Sequence, residues 1–363
     1  MATIHDMDEV EMFFRERRIE RDLLRGLRND FYKKHLDCHI AVQRLPEEWR
    51  APFRLTFPFH PLTLAECQES RQDGTTKLVL STGDGELVET VVLRMSSGRT
   101  SLCLSTQIGC AAGCVFCATG KLGLRRNLEA SEILDQLALA NRLLAAEGRR
   151  LRNVMFMGMG EPFHNLDAVE EAIAVMLSPA CFAMSPRRLL ISTFGIPDTF
   201  VSFAQAHPQV RLALSLHSAR QEIRARLMPV AARHSLADLR EAILEAGRIQ
   251  GQDTMLEYAM LAGVNDTQES LGALMAFVRG LPAWVNLIEY NPLGREDGLQ
   301  GSEEKAFVMF EEELKQAGIW VTRRRSLGRG IDAACGQLAR ATRAGERGRA
   351  TTRDAGAVRD RGR

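Results

Sequence analysis

The chain has 363 residues, 45% of them hydrophobic and 26% charged, with a formal net charge of +1. This composition gives room for one large α/β domain and a small appendage, and it excludes collagenous and low-complexity chains. The eight cysteines are scattered, unlike a secreted disulfide scaffold, no apolar run approaches a membrane span, and the acidic N-terminal stretch lacks a signal-peptide core, so a reducing cytoplasm is expected.

In chain order, residues 10–37 are helical in pattern and rich in Arg and Lys. Residues 68–92 read as two strands around Asp84-Gly85, a hairpin signal. Residues 1–86 are therefore expected to form a small α+β accessory domain of RNA-binding type. From residue 101, strands and helices alternate. Strands are predicted at 101–106, 153–157, 188–192, 210–216, 255–261, 285–290 and 320–323. Helices are predicted at 130–147, 166–177, 198–206, 235–250, 267–280 and 303–318, with Ser235 as a helix cap. Six β/α units in series imply a parallel sheet with right-handed crossovers, and such a sheet carries its active site at the carboxyl ends of its strands. The expected core spans 87–338. The remainder, 339–363, has eight arginines against three acids, a balance of +5, and almost no large apolar residue. It is expected to be a disordered basic tail suited to nucleic acid phosphates. The run Arg323, Arg324, Arg325 is read in the same way.

The unusual residues fall just after the strands, as that rule requires. Gly109-Cys110-Ala111-Ala112-Gly113-Cys114-Val115-Phe116-Cys117 follows the first. Gly158-Met159-Gly160-Glu161-Pro162 follows the second, Ser192 ends the third, Ser215-Leu216-His217 ends the fourth, and Asn291-Pro292 follows the sixth. Three thiolates from one short loop suit a 4Fe–4S cluster with one iron open to another ligand. Structural zinc would need a fourth Cys or His at short spacing, yet no His follows Cys117 until His164 and no Cys until Cys181. A non-catalytic zinc-ribbon RNA-binding protein is the rival from another class. A lone cysteine is most often a small buried hydrophobe, and Cys38, Cys67 and Cys181 are read that way.

Cys110, Cys114 and Cys117 carry the spacing of the radical S-adenosylmethionine (SAM) superfamily. Further segments resemble one family within it, the RlmN/Cfr RNA methyltransferases, over 68–338. They include Val88-Glu89-Thr90-Val91, the run from Cys103 to Cys110, Ser215-Leu216-His217 and Gly330-Ile331-Asp332-Ala333-Ala334-Cys335-Gly336-Gln337-Leu338. The resemblance implies a partial (β/α)6 radical SAM barrel, one 4Fe–4S cluster per chain on Cys110, Cys114 and Cys117, and two SAM molecules per turnover. It implies that Cys335 carries a methyl group, that Cys103 resolves the RNA adduct through a disulfide, and that Glu89 is the base. Gly160, Glu161, Ser192, Ser215, Leu216, His217 and Asn291 resemble SAM contacts. The expected substrate is an adenosine in 23S ribosomal RNA, methylated at carbon-2, with tRNA as a second substrate and carbon-8 as the alternative position. A flavodoxin or ferredoxin as electron donor and a monomeric state complete the expectation. Two departures from the family pattern stand out: an Arg-rich N-terminal helix, and Glu129 where Thr is common.

Overall fold

The structure is a computed structural model and describes residues 2–293 and 298–338. The basic tail at 339–363 lies outside the described residues. Twelve strands occur among them: β1 (Thr63–Glu69), β2 (Thr76–Ser81), β3 (Leu87–Arg94), β4 (Thr100–Cys103), β5 (Gln107–Gly109), β6 (Leu124–Asn127), β7 (Asn153–Phe156), β8 (Leu189–Thr193), β9 (Arg211–Ser215), β10 (Thr254–Met260), β11 (Ala283–Glu289) and β12 (Val321–Arg324). One ten-stranded sheet runs β1-β2-β3-β4-β7-β8-β9-β10-β11-β12, and β5 pairs only with β6. From β4 to β12 every pairing in the large sheet is parallel, whereas β1 to β4 pair antiparallel. The seven parallel strands follow the predicted order, with helices in the crossovers, as expected for a partial (β/α)6 barrel.

The central barrel strands read as apolar runs because they are buried; β4, β8 and β10 are buried at every position. Ser235 caps its helix as expected, accepting from Asp238 N at 3.0 Å. Glu129 also finds its reason here. It is the N-cap of helix Ala130–Ala146, and Glu132 Oε2 accepts from Glu129 N at 2.9 Å to close a capping box.

The first sixty residues depart from the single helical run expected at 10–37. Helix Met7–Glu16 stops because Arg18 takes the left-handed conformation (φ 53°) and Ile19 N bonds back to Phe14 O at 2.9 Å. A second helix, Arg21–Arg28, passes into a π-helical turn, Asn29–Lys33. These helices gather on an aromatic core of Phe13, Phe14, Phe53 and Phe57, with edge-to-face ring contacts. The helical region docks on the barrel through Asp135 of helix Ala130–Ala146, which is fully buried. Its Oδ1 meets His60 Nδ1 at 2.6 Å and its Oδ2 accepts from Leu62 N at 2.9 Å.

The strands at 68–92 are three rather than two, because Thr63–Glu69 forms β1 before the hairpin. The β2–β3 hairpin straddles the expected boundary between residues 86 and 87, so strands on both sides of it share one continuous sheet.

Candidate active site

The cysteine loop is pinched at its root by the β5–β6 hairpin, which was not expected from the sequence. Cys110 N donates to Gly123 O at 3.0 Å. Gly109 has φ 75°, and a Cβ there would lie 1.8 Å from Gly123 O, so this corner accepts glycine alone. The loop then folds back, Cys117 N donating to Cys114 O at 3.2 Å. Cys110, Cys114 and Cys117 all line one cavity of about 190 Å³ at the carboxyl ends of the strands. Burial pushes the Cys110 thiol up to about 12, with the neighbouring Glu161 and Cys117 adding to it, and raises the other two as well. Three soft sulfurs gathered out of water, their ionised forms disfavoured chiefly by burial, form a donor set that a metal charge relieves. The set fits a cluster held by three thiolates.

Most of the expected SAM residues line the same cavity: Gly160, Glu161, Ser192, Ser215, His217 and Asn291. The Glu161 carboxylate accepts from Phe163 N at 3.0 Å and Phe194 N at 2.9 Å, and burial raises its carboxyl to about 7. His217 Nδ1 accepts from Ala259 N at 3.0 Å, so this ring nitrogen carries no proton. Burial, and then Arg224, lower the imidazole to about 3. The ring stands edge-on to Phe116 of the cysteine loop, 4.7 Å between centroids. Leu216 is placed differently from a cavity contact. Its side chain is fully buried in the main core, its N–H donates to Glu257 O, and its carbonyl accepts from Arg224 Nε at 3.2 Å. Asn291 also braces the closing segment of the chain. Its Nδ2 donates to Cys335 O at 3.1 Å and its Oδ1 accepts from Arg329 Nε at 2.8 Å.

Cys103 and Cys335 reach the cavity from opposite parts of the chain. Cys103 ends β4 and pairs across the sheet with Val91 of β3, which lines the cavity beside it. Glu89 lies two residues before Val91, on the same face, and is fully buried outside the cavity lining. Cys335 comes from the closing segment, residues 325–338, with no regular structure beyond one 3₁₀ turn, Arg329–Ile331. Its anchors are dispersed. Gly328 N donates to Asp73 Oδ2 at 2.8 Å, and Lys77 Nζ of β2 donates to Asp332 O at 3.2 Å. Arg329 pairs with Glu289 at 2.7 Å, and Ala118 N, just after the cysteine loop, donates to Gly336 O at 2.7 Å.

Three residues of the site were missed from sequence. Glu257 Oε2 accepts from Ser192 Oγ at 2.6 Å and orients that hydroxyl. Arg224 is fully buried and holds the carbonyls of Leu216, Ser215 and Phe194 behind the cavity. Arg324 stands in the cavity beside both further thiols. Cys335 holds it charged, and burial opposes; Cys103 and Glu257 strengthen the hold. Burial pushes the Cys103 thiol up to about 12 while Arg324 pulls the other way. This corrects the reading of the arginine run as a phosphate-binding patch. Arg324 is half-buried and lines the cavity, and Arg323 is committed to Glu304 and Glu289 and lies 4.1 Å over the Phe307 ring, leaving Arg325 exposed. All eight cysteines are free, so the disulfide expected between Cys103 and Cys335 during turnover is not formed in this structure. Among the cysteines read as buried hydrophobes, Cys181 is buried, Cys38 is half-buried, and Cys67 is exposed on β1, the edge strand.

Comparisons with known proteins agree with this geometry. Residues 104–275 match the model of the radical SAM superfamily. The chain is 43% identical over 332 residues to a probable RNA methyltransferase of Rhodopirellula baltica, covering 92% of this chain and 86% of that one. It is 43% identical over 270 residues to a dual-specificity RNA methyltransferase RlmN of Oleidesulfovibrio alaskensis, covering 74% of this chain and 75% of that one. The crystal structure of a radical SAM methyltransferase from Sphaerobacter thermophilus superposes with a TM-score of 0.89 at 33% identity, over 93% of this chain and 99% of that one. No described helix is long and apolar enough to cross a membrane.

Proposed function

The chain belongs to the RlmN/Cfr family of radical SAM RNA methyltransferases, and from that premise we propose that it methylates carbon-2 of an adenosine in 23S ribosomal RNA, with tRNA as a second substrate. Family membership itself makes it a SAM-dependent RNA methyltransferase that uses a 4Fe–4S cluster. The observation that carries the finer reading is the arrival of two further thiols, Cys103 and Cys335, in the cavity of the cysteine loop. The name dual-specificity RNA methyltransferase borne by relatives at about this identity supports a second RNA substrate.

Carbon-2 of adenine is an electron-poor amidine carbon and does not attack a methyl donor as a nucleophile would. The carbon must therefore be delivered as a radical from a group the protein holds. Cys110, Cys114 and Cys117 would hold one cluster, with SAM against Gly160, Glu161, Ser192, Ser215 and His217. When bound, they supply an electron and a radical able to take hydrogen from an S-methyl group. Two SAM molecules would be used per turnover, one for that radical and one for the methyl group that Cys335 accepts.

The remaining work falls to side chains. The Cys335 thiolate takes the methyl group, with the Arg324 guanidinium lining the same cavity. Once that carbon has joined adenine, the RNA is linked to the Cys335 sulfur. Glu89 takes the proton that carbon-2 loses, and the adduct's unpaired electron would leave to the bound cluster, so that the ring regains its aromatic, closed-shell form. The Cys103 thiolate attacks the Cys335 sulfur, an S–S bond forms and the S–C bond breaks. The carbon leaves with the electron pair and is protonated to a methyl group. The reduction that resets the two thiols, the eight free cysteines and an electron donor of flavodoxin or ferredoxin type suit a reducing cytoplasm. We assign 1–86 and the basic tail 339–363 to RNA docking, 87–338 to chemistry, and the monomer as the working unit.

Mass spectrometry of purified Cys103→Ala protein tests the assignment. It keeps the methyl carrier and lacks the displacing thiolate, so an RNA fragment should remain attached at Cys335. A Cys103→Ala enzyme that is free of RNA and fully active would overturn it. Nucleoside analysis of RNA treated with the wild-type enzyme distinguishes 2-methyladenosine from 8-methyladenosine.

A further inference from the structure

Lys77 is an unusual residue to find where it is. It sits in the middle of β2 and is buried, at 2% exposure, although lysine is among the side chains least often buried without a partner. The sheet register explains which way it points. Lys77 is directly opposite Val91 on β3, and Val91 is directly opposite Cys103 on β4. Residues opposite one another across a sheet share a face, so Lys77, Val91 and Cys103 form one row aimed at the cavity. Glu89 lies on the same face, two residues along β3 from Val91.

The ammonium reaches two groups. Nζ lies 3.3 Å from Glu89 Oε1, with both side chains almost wholly buried, and donates to Asp332 O at 3.2 Å. Asp332 is three residues before Cys335 and has φ 50°, a strained backbone position for a residue other than glycine. Other titratable groups on the elements around this corner are Cys103 on β4, Arg324 on β12, and Asp332 and Cys335 in the closing segment. Met159 packs against the backbone, its Sδ accepting from Glu89 N at 3.4 Å.

We propose that Lys77 is a positioning residue which keeps the Glu89 carboxylate in place and ties it to the segment that carries Cys335. The proposal rests on Glu89 as the base of the proposed reaction. A buried carboxylate is costly unless paired, and a buried pair holds only if its remaining donors are also satisfied. Lys77 supplies the opposite charge beside the carboxylate, 3.3 Å from Glu89 Oε1, and donates a proton to the Asp332 carbonyl. One ammonium thereby fixes the distance between the group that removes a proton from the substrate and the loop that delivers the carbon. It touches neither substrate nor sulfur, so it acts through Glu89.

The test is a double-mutant cycle on the full-length, cluster-loaded enzyme with Lys77→Gln, Glu89→Gln and the pair, reading single-turnover formation of methylated RNA. Intact mass of each variant records methylation of Cys335, which needs neither residue and so reports a folded site. Lys77→Gln keeps a hydrogen-bond donor and removes the charge. It should slow product formation at least about tenfold with Cys335 still methylated, and the double variant should be no slower than Glu89→Gln. Lys77→Arg should restore most of the rate. If the two losses multiply, or if Lys77→Gln turns over at the wild-type rate, Lys77 does not act through Glu89 and the proposal is overturned. If Lys77→Gln fails to methylate Cys335, Lys77→Arg decides: a methylated Cys335 with RNA product formed no faster than in Glu89→Gln would overturn it. A fully active Glu89→Gln enzyme is a separate outcome that removes the base reading itself, and the role of Lys77 with it.

Discussion

The two walls of the cavity are built by opposite means. The cysteine-loop wall is local: Cys110, Cys114 and Cys117 come from eight consecutive residues, folded back by hydrogen bonds within 109–123. The Cys335 wall is assembled from a distance. Its segment is held by Asp73 and Lys77 from the N-terminal hairpin, by Glu289 and Asn291 from the end of β11, and by Ala118 beside the cysteine loop. A local wall carries its geometry in sequence spacing. A wall assembled from distant parts depends on the whole sheet being in place, so small changes far from Cys335 should reach it.

The largest effects separate the walls outright. Cys117→Ala and Cys335→Ala should both give no methylated RNA, yet differ in metal. Reconstituted Cys335→Ala should keep about four irons, as a complete cluster requires, while Cys117→Ala should lose iron and its absorbance. Equal iron loss in both would mean that the walls do not have separate jobs. Next comes Gly328→Ala. Gly328 has φ 78°, and a Cβ would lie 2.9 Å from Ala333 Cβ and 3.0 Å from Thr75 Cγ2. Strain of about 1 to 3 kcal/mol should fall on the closing segment, lowering Cys335 methylation roughly tenfold or more with iron content unchanged. A drop in iron would refute the independence of the walls.

Acidification probes the other wall through His217. Its folded value is lowered from 6.5 to about 3, so the unfolded chain takes the proton first. The stabilisation is present above pH 6.5 and is lost as the pH falls toward 3. Between pH 7 and 5, wild type should lose about 2 kcal/mol more than His217→Gln in chemical denaturation. Equal losses would show that the ring is not held neutral. The smallest effect concerns RNA alone. Deleting 339–363, with its balance of +5, should weaken RNA binding severalfold and flatten its salt dependence, leaving the methylated position unchanged. Identical affinity at low and high salt would show the tail to be inert.

The same division decided what was legible in the sequence. Periodicity gave the seven parallel strands, and the strand-end rule gave Cys110 to Cys117, Ser192 and Ser215, since each depends on neighbours in sequence. The β5–β6 hairpin was missed because Gln107–Gly109 is too short to show alternation. Arg324 was hidden in a run of three arginines, where only the register of β12 decides which one faces inward. Lys77 gave no signal either, because a lysine in a strand ordinarily marks an exposed edge. Glu257 was missed because its grip on Ser192 joins residues from different strands.

The dispersed anchoring of Cys335 also sets an order of events during synthesis. The ribosome makes this cysteine after all twelve strands, and the groups that receive it lie on β2, at the end of β11 and beside the cysteine loop. Contacts so distant in sequence form late. Cys335 is therefore delivered to a barrel already built, and on the proposed reading a nascent chain acquires its iron-binding loop before it acquires the means to capture RNA covalently.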